Sequence, residues 1–288
     1  MTLSQLNDKD ISSAQDEAEY RVVRLKVDDD YTRIYVADNE METAFVIMTS
    51  DYFDLKIYQD QIIDQKMYYQ LTRLHGFAYG YRRAIRALRY KDHSVKEISD
   101  LLYGIQNLDS LGRKRIMEQL TESGLLNDEQ LVQNEIENDR MKLVGHHKTA
   151  GNLSRRGIDQ ELIDKYISEI DPEEECQRGI EKAAGIVKTI RNRSYRETVN
   201  VLKSRLRSAG YPGAMIPEIV AALQLEPDED REQDNLNRQF EKARRRYQNR
   251  YSGSKLKNRI YQSLYSKGYR SEDIRILLET IREEDNED

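Results

Sequence analysis

The sequence predicts a mostly α fold: tandem three-helix repeats forming an elongated curved array, preceded by a small N-terminal domain of three β-strands plus a helix. Three observations carry that prediction. A glycine followed by an apolar residue recurs as Gly104-Ile105, Gly157-Ile158, Gly210-Tyr211 and Gly268-Tyr269, at steps of 53, 53 and 58 residues. Amphipathic helical patterns flank these pairs, with Leu153, Leu206 and Leu264 four residues upstream and Leu162, Ile216 and Ile274 downstream. The capping-box signal Ser94 with Glu97 returns as Ser194 with Glu197, ahead of matching apolar runs. A glycine just past a helix end supplies the left-handed conformation that a Cβ resists, so all four are predicted C-cap positions. Repeats of this length are supersecondary units stacked in series, and such chains bind along extended partners.

Taken in order, residues 1 to 19 are polar and acidic and are predicted to form a disordered arm. Short alternating stretches follow from Val22 to Val27, Tyr31 to Val36 and Ala44 to Met48. Asp28-Asp29-Asp30 and Asp38-Asn39-Glu40 supply the turns of an antiparallel meander. Thr49-Ser50-Asp51 offers a helix N-cap before Tyr52 and Leu55, and a helical passage towards Leu74 is expected to cover one sheet face, because three strands alone bury too little. This domain is predicted over 20–75. From 76 onward every stretch reads as helix. Phe77 to Tyr90 places Tyr81, Ile85 and Leu88 on one side and Arg82, Arg83, Arg86 and Arg89 on the other. Further helices are predicted at Leu111–Ser123, Asp128–Leu143, Lys148–Arg155, Asp159–Ile167, Glu173–Arg191, Ala214–Leu223, Asp230–Tyr251, Ser254–Ser266 and Ser271–Glu284. The glycine landmarks group these into about four units, near 76–125, 126–170, 171–225 and 226–284, with an acidic tail.

Composition narrows the functional classes. With 38% hydrophobic and 34% charged residues, the chain suits thin helical layers with solvated outer faces. No run of 18 apolar residues is present, and the acidic start lacks a signal peptide's basic and apolar segments, so a cytoplasmic, non-membrane protein is expected. Cys176 is the single cysteine, next to Glu173, Glu174 and Glu175, a setting that disfavours a thiolate. His146-His147 has no metal-ligand spacing around it. Gly76-Phe-Ala-Tyr-Gly80 lacks the lysine and hydroxyl residue of a phosphate loop. No convergent acid, base or nucleophile set is found, which points to a binding protein without cofactor or metal rather than an enzyme.

Net charge is -6, yet it is blocked along the chain. Residues 1–75 hold fifteen acidic and eight basic side chains, whereas 178–209 has nine Lys/Arg against Glu181 and Glu197, and 238–270 has eleven against Glu241. In the third unit Val199, Leu202 and Leu206 define the buried stripe and leave Arg196, Lys203 and Arg207 on an exposed strip, with Arg205 nearby. In the fourth, Lys255 and Arg259 stand at i and i+4, Lys257 lies on another side, and Arg244, Arg245 and Arg246 lie on the preceding helix. Charged strips are ordinarily solvated faces. Here the missing i,i+4 acidic partners favour an external anion. Among nineteen tyrosines some could stack on bases, but Tyr211 and Tyr269, directly after glycines, also fit a C-cap staple.

With these residues laid out, the chain resembles the RecX family of recombination regulators, in the long form with an N-terminal β-containing extension. The resemblance is loose over 20–36 and close over 77–282. It rests on Ser123-Gly-Leu-Leu-Asn-Asp128 after Ile116 and Leu120, on Leu153-Ser-Arg-Arg-Gly-Ile158 with Leu162, and on Leu264-Tyr-Ser-Lys-Gly-Tyr269 with Ile274. The chain departs from the family at Gly145-His146 and Thr149, where Gly-Pro and an apolar residue are usual, and over 52–69. The resemblance implies a non-enzymatic modulator of the RecA recombinase. Such a protein binds in the groove of the RecA filament on single-stranded DNA and inhibits strand exchange, ATP hydrolysis and coprotease activity by hindering growth or promoting disassembly. The partners expected are the RecA filament and, weakly and without strong sequence preference, single-stranded DNA; a monomer is expected. The rival reading is a direct DNA-binding regulator of helix-turn-helix type, since three short helices with a glycine turn also describe that module.

Overall fold

The computed structural model describes residues 19–38 and 41–281, so the predicted acidic arm, apart from Glu19, and the acidic tail lie outside the described residues. Strands β1 (Tyr20–Val27), β2 (Tyr31–Ala37) and β3 (Glu42–Met48) form the antiparallel meander, with Ile34 opposite Leu25 on one side and Phe45 on the other. The period of two does what it should: Thr32, Ile34 and Val36 are buried while their neighbours are more open. A fourth strand, β4 (Ile62–Ile63), pairs with Tyr20 and Arg21 and gives the order β3-β2-β1-β4. The predicted sheet had three strands; two residues are too few to show alternation.

Helix α1 (Thr49–Leu55) starts at Thr49 itself, and no side chain caps it. The Thr49 hydroxyl is used elsewhere, donating to the Asp28 carbonyl at 2.8 Å beside Thr32. Helix α2 (Gln65–Tyr90) is capped by Asp64, which accepts from the Met67 amide at 2.8 Å. Its first half closes the sheet core of Val22, Ile34, Val36, Phe45 and Ile47 with Leu71, Met67 and Tyr68. Its second half packs on α3 (Val95–Tyr103) and α4 (Ser110–Glu122) through Phe77, Ala84, Ile98, Leu102, Ile116 and Leu120. The border predicted at 75/76 therefore falls inside one continuous helix, and the first compact unit extends to Leu131. Gly76 is a packing glycine within that helix: a Cβ there would stand 2.3 Å from the Asn107 carbonyl oxygen.

The second unit begins at Val132, within α5 (Asp128–Met141). It continues with α6 (His146–Arg155) and α7 (Gln160–Ser168), then α8 (Pro172–Val187), α9 (Tyr195–Ser208) and α10 (Ile216–Ala222), then α11 (Glu229–Tyr247), α12 (Gly253–Tyr265) and α13 (Ser271–Glu279). The last two groups each have an apolar core, around Leu202, Leu206, Tyr211 and Ile219 and around Leu236, Phe240, Leu256, Ile260 and Leu264. Full burial of one such side chain contributes roughly 1.5–3 kcal/mol. The α5–α7 group instead seats a buried polar pair, Thr149 donating to Asp139 at 2.8 Å, where the sequence departs from the apolar pattern.

Three of the four landmark glycines hold left-handed backbone: Gly157, Gly210 and Gly268 have φ of 78°, 96° and 86°. In each case the next amide donates to the leucine five positions before it: Ile158 to Leu153, Tyr211 to Leu206 and Tyr269 to Leu264. That is the Schellman closure. Gly104 departs from the prediction, with φ −81°, and Asn107 takes the left-handed turn instead at φ 63°. The second capping signal is also only half made. Ser194 accepts from the Glu197 amide at 3.1 Å, but the Glu197 carboxylate is drawn to Arg193.

One further contact recurs where consecutive helix groups meet. The first amide of each middle helix donates to a carboxylate near the start of the next group: Val95 to Asp128 at 2.9 Å, His146 to Glu175 at 2.8 Å and Tyr195 to Glu232 at 2.8 Å. These amides lack intrahelical acceptors and carry the positive end of the helix dipole, so an anion there is favoured. The repeat is thus joined by backbone chemistry that any residue except proline permits at the donor position.

Candidate functional site

The sites predicted from sequence lie on α9, α11 and α12. On α9, Leu202 and Leu206 are fully buried and set the roll of the helix. Residues seven and eleven apart share a face at about 100° per residue, so Arg196, Lys203 and Arg207 form one line, with both arginines exposed and Lys203 half-buried. Arg205 lies about half a turn round, and its guanidinium donates to the Thr189 hydroxyl at 2.7 Å, so it leaves the strip. Arg196 has a second use: its stem lies against Gly268, where an added Cβ would meet the Arg196 Cβ at 3.0 Å. The charged end remains in water, as long cationic side chains permit.

On α11 the first turn carries Glu229, Asp230 and Glu232 and the last carries Arg244, Arg245 and Arg246, each complementing the dipole at its own end. That arrangement stabilises the helix and leaves all three arginines exposed. On α12, Leu256, Ile260 and Leu264 face the core, Lys255 and Arg259 share the outer face, and Lys257 is half-buried on another side. Arg246 and Arg259 are brought together through two rings. The Arg246 guanidinium carbon stands 5.5 Å from the Tyr247 centroid, Tyr247 lies 6.3 Å from Tyr251, and Arg259 stands 5.4 Å from Tyr251. Neither tyrosine was singled out from the sequence, although their i,i+4 spacing at the end of a basic helix was visible.

Some basic residues of the second unit are paired with carboxylates, and the candidate residues are not. Elsewhere in the second unit Arg140 meets Glu174 at 2.6 Å, Arg156 meets Glu135 at 2.6 Å, and Arg231 meets Asp228 at 3.0 Å. Among the described residues Arg196, Lys203, Arg207, Arg244, Arg245, Arg246, Lys255, Lys257 and Arg259 make no ion pair with a carboxylate. Unpaired cations on fixed faces create a positive field that attracts anionic partners. Among the described residues no group of three or more His, Cys, Asp or Glu is placed to hold a metal ion, and no helix is long and apolar enough to cross a membrane. Cys176 is buried, and burial and nearby Glu218 push its thiol up, which disfavours a nucleophilic role.

Comparison with known proteins follows the same lines. The family model for the third three-helix domain of RecX matches residues 229–278, which cover nearly all of α11 to α13. A regulatory protein RecX of Streptococcus equi subsp. zooepidemicus is 28% identical over 218 residues, 74% of this chain and 82% of the relative. One of Lactococcus lactis subsp. lactis is 28% identical over 253 residues, 85% of this chain and 88% of the relative. A crystal structure of a regulatory protein RecX shares the fold, with a TM-score of 0.54 and 17% identity over 69% of this chain and 98% of that one. With its repeated three-helix groups and its glycine closures, the chain is similar to RecX regulatory proteins over most of their length, and its residues 229–278 match the third three-helix domain of that family.

Proposed function

We propose that this protein is a cytoplasmic, non-enzymatic regulator of homologous recombination and the SOS response that binds RecA filaments on single-stranded DNA. It acts as a monomer and lowers recombinase, ATPase and coprotease activity by hindering filament extension or promoting disassembly. The similarity to RecX regulatory proteins supports a RecA partner. The observation that carries the reading in this chain is the set of unpaired cations on α9, α11 and α12. Lys203, Arg207, Arg244, Arg245, Arg246, Lys255 and Arg259 would meet DNA phosphate or acidic protein surface, with Arg196, Arg205 and Lys257 at the margins of the strips.

The test is ATP hydrolysis by the cognate RecA on single-stranded DNA while this protein is titrated in, with binding to naked DNA as control. Suppression well below one protein per RecA, beside weak binding to naked DNA that falls steeply with salt, is the expected result. No suppression, together with tight preference for one duplex sequence, would overturn it in favour of a direct DNA-binding regulator.

A further inference from the structure

Helix α2 contains no aspartate or glutamate in 26 residues, and its second half presents Arg82, Arg83, Arg86 and Arg89 to solvent. These four divide into two kinds. Arg82 stands over the Tyr31 ring at 5.1 Å and shares a recess with Asp28, Asp29 and Asp30, and Arg89 also acts on Tyr31 electrostatically. Arg83 and Arg86 make no ion pair, hydrogen bond or ring contact among the described residues. They alternate with two exposed rings. Tyr79, Arg83, Arg86 and Tyr90 are spaced four, three and four residues apart, which places them in one stripe about 16 Å long. Tyr79 is 50% exposed and Tyr90 89% exposed. The opposite face is anchored by Phe77 and Ala84 in the core, and Gly80 is so close to Leu108 that a Cβ would lie 2.8 Å from its Cδ2. The helix therefore has a fixed roll, and the stripe is held outward.

Two guanidinium groups at i,i+3 repel one another, and no carboxylate among the described residues pairs with either. An acidic protein surface would satisfy the arginines and leave two flat rings unused. A nucleic-acid duplex offers phosphates but hides the faces of its bases. A single strand offers both phosphates for the cations and base faces for the rings, at the short intervals that this stripe provides. We propose that the Tyr79, Arg83, Arg86 and Tyr90 stripe of α2 is a binding platform for single-stranded nucleic acid, with the arginines on phosphates and the tyrosines against bases. This site is separate from the α9, α11 and α12 strips and requires no recombinase.

The test uses the full chain and the anisotropy of a fluorescein-labelled oligothymidylate across a salt series. Arg83→Glu with Arg86→Glu should weaken binding about tenfold at low salt and flatten the log–log salt slope by about 1.4, two phosphates at roughly 0.7 each. Tyr79→Ala with Tyr90→Ala should weaken binding at least fivefold with the slope unchanged. That second loss should vanish on an abasic strand of the same length. Replacing thymidylate by oligouridylate distinguishes the sources, and tighter binding of either assigns DNA or RNA to the same platform. Wild-type affinity in both α2 variants, equal affinity for a duplex of the same length, or a tyrosine effect that persists on the abasic strand would overturn the proposal. Because no recombinase is present, failure here leaves the filament reading untouched. Conversely, loss of filament inhibition in α9 and α12 variants says nothing against the α2 platform.

Discussion

Where α6 meets the α8–α10 group, two backbones touch; where α9 meets α11–α13, a side chain lies between them. At the first junction the Gly145 amide donates to the Ala209 carbonyl at 2.9 Å and the His147 amide to the Gly210 carbonyl at 3.1 Å. The Tyr211 hydroxyl reaches back to the Leu143 carbonyl at 3.1 Å, and His146 bonds Glu175 through both its amide and its ring. At the second junction Ser194 stands where Gly145 stood, its hydroxyl donating to the Lys267 carbonyl at 2.6 Å, and Arg196 covers Gly268. The equivalent tyrosine, Tyr269, is buried with its hydroxyl unpartnered among the described residues. One register is therefore closed by two chemistries. The shared part is an amide-to-carboxylate bond, and the side chains around it decide how tight each junction is.

The largest expected effect comes from adding a methyl group to the first junction. Gly210→Ala would place a Cβ 2.4 Å from the Lys148 Cβ and 2.5 Å from the Gly145 carbonyl oxygen, at φ 96°. Overpacking costs about 1–3 kcal/mol, and left-handed backbone adds about 1–2 kcal/mol. Gly145→Ala keeps the clash without the backbone strain. Gly268→Ala meets the Arg196 Cβ and the Ser194 hydroxyl at 3.0 Å, a looser contact, but at φ 86° it carries the same left-handed strain as Gly210→Ala. Thermal unfolding should show the Gly210→Ala loss as the largest of the three, because it alone combines clash and strain; a Gly268→Ala loss equal to that of Gly210→Ala would break the comparison.

Next in size is the buried carboxylate. Burial alone would raise Glu175, but the ring and backbone hydrogen bonds from His146, its charge and that of Arg178 outweigh this and hold it below its ordinary 4.5. It is thus the acceptor, and the His146 Nδ1–H donates at 2.6 Å. Glu175→Gln should cost about 1.5–3 kcal/mol near neutral pH, as hydrogen bonds to a charged group do. A lowered carboxylate stabilises fully above its unfolded value and loses that contribution as pH falls through the folded one. The gap between wild type and Glu175→Gln should therefore be present above about pH 4.5 and close below it. Urea titrations at several pH values check this, and a gap that widens on acidification would contradict it. Glu232→Gln, at the more open second junction, should cost less.

The smallest effect is the most discriminating. Burial pushes the hydroxyls of both Tyr211 and Tyr269 up to about 12, yet among the described residues only Tyr211 has an acceptor. Tyr211→Phe should lose about 1 kcal/mol, whereas Tyr269→Phe should be neutral or slightly stabilising, because it removes an unsatisfied polar group. Equal losses in urea denaturation would mean that Tyr269 has a partner after all.

Much of this was legible in the sequence, for physical reasons that differ by element. Gly157, Gly210 and Gly268 announce helix ends because left-handed backbone selects glycine directly. Gly104 carries the same letter without that need, and its neighbour Asn107 makes the turn. Gly76 and Gly145 were illegible as packing residues, since their requirement comes from backbone 31 and 65 positions away in Asn107 and Gly210. The three amide-to-carboxylate bonds were hidden for a related reason: the donors share a helix position, but their acceptors lie 33, 29 and 37 residues onward. In the candidate strips the shared face of Arg196, Lys203 and Arg207 followed from helical spacing, although Lys203 is half-buried on it. The departure of Arg205 toward Thr189 and the Arg246, Tyr247, Tyr251 and Arg259 column depended on how neighbouring elements meet.

The central claim is that the unpaired cations of α9 and α12 carry the regulatory contact. A full-length variant with Lys203→Glu, Arg207→Glu, Lys255→Glu and Arg259→Glu, compared with wild type for inhibition of RecA ATP hydrolysis on single-stranded DNA, tests it most directly. All four side chains lie outside the buried core, so the unfolding temperature should stay within a few degrees of wild type. The account predicts that at least tenfold more of this variant is needed for half-inhibition. Undiminished inhibition by a folded variant would contradict it.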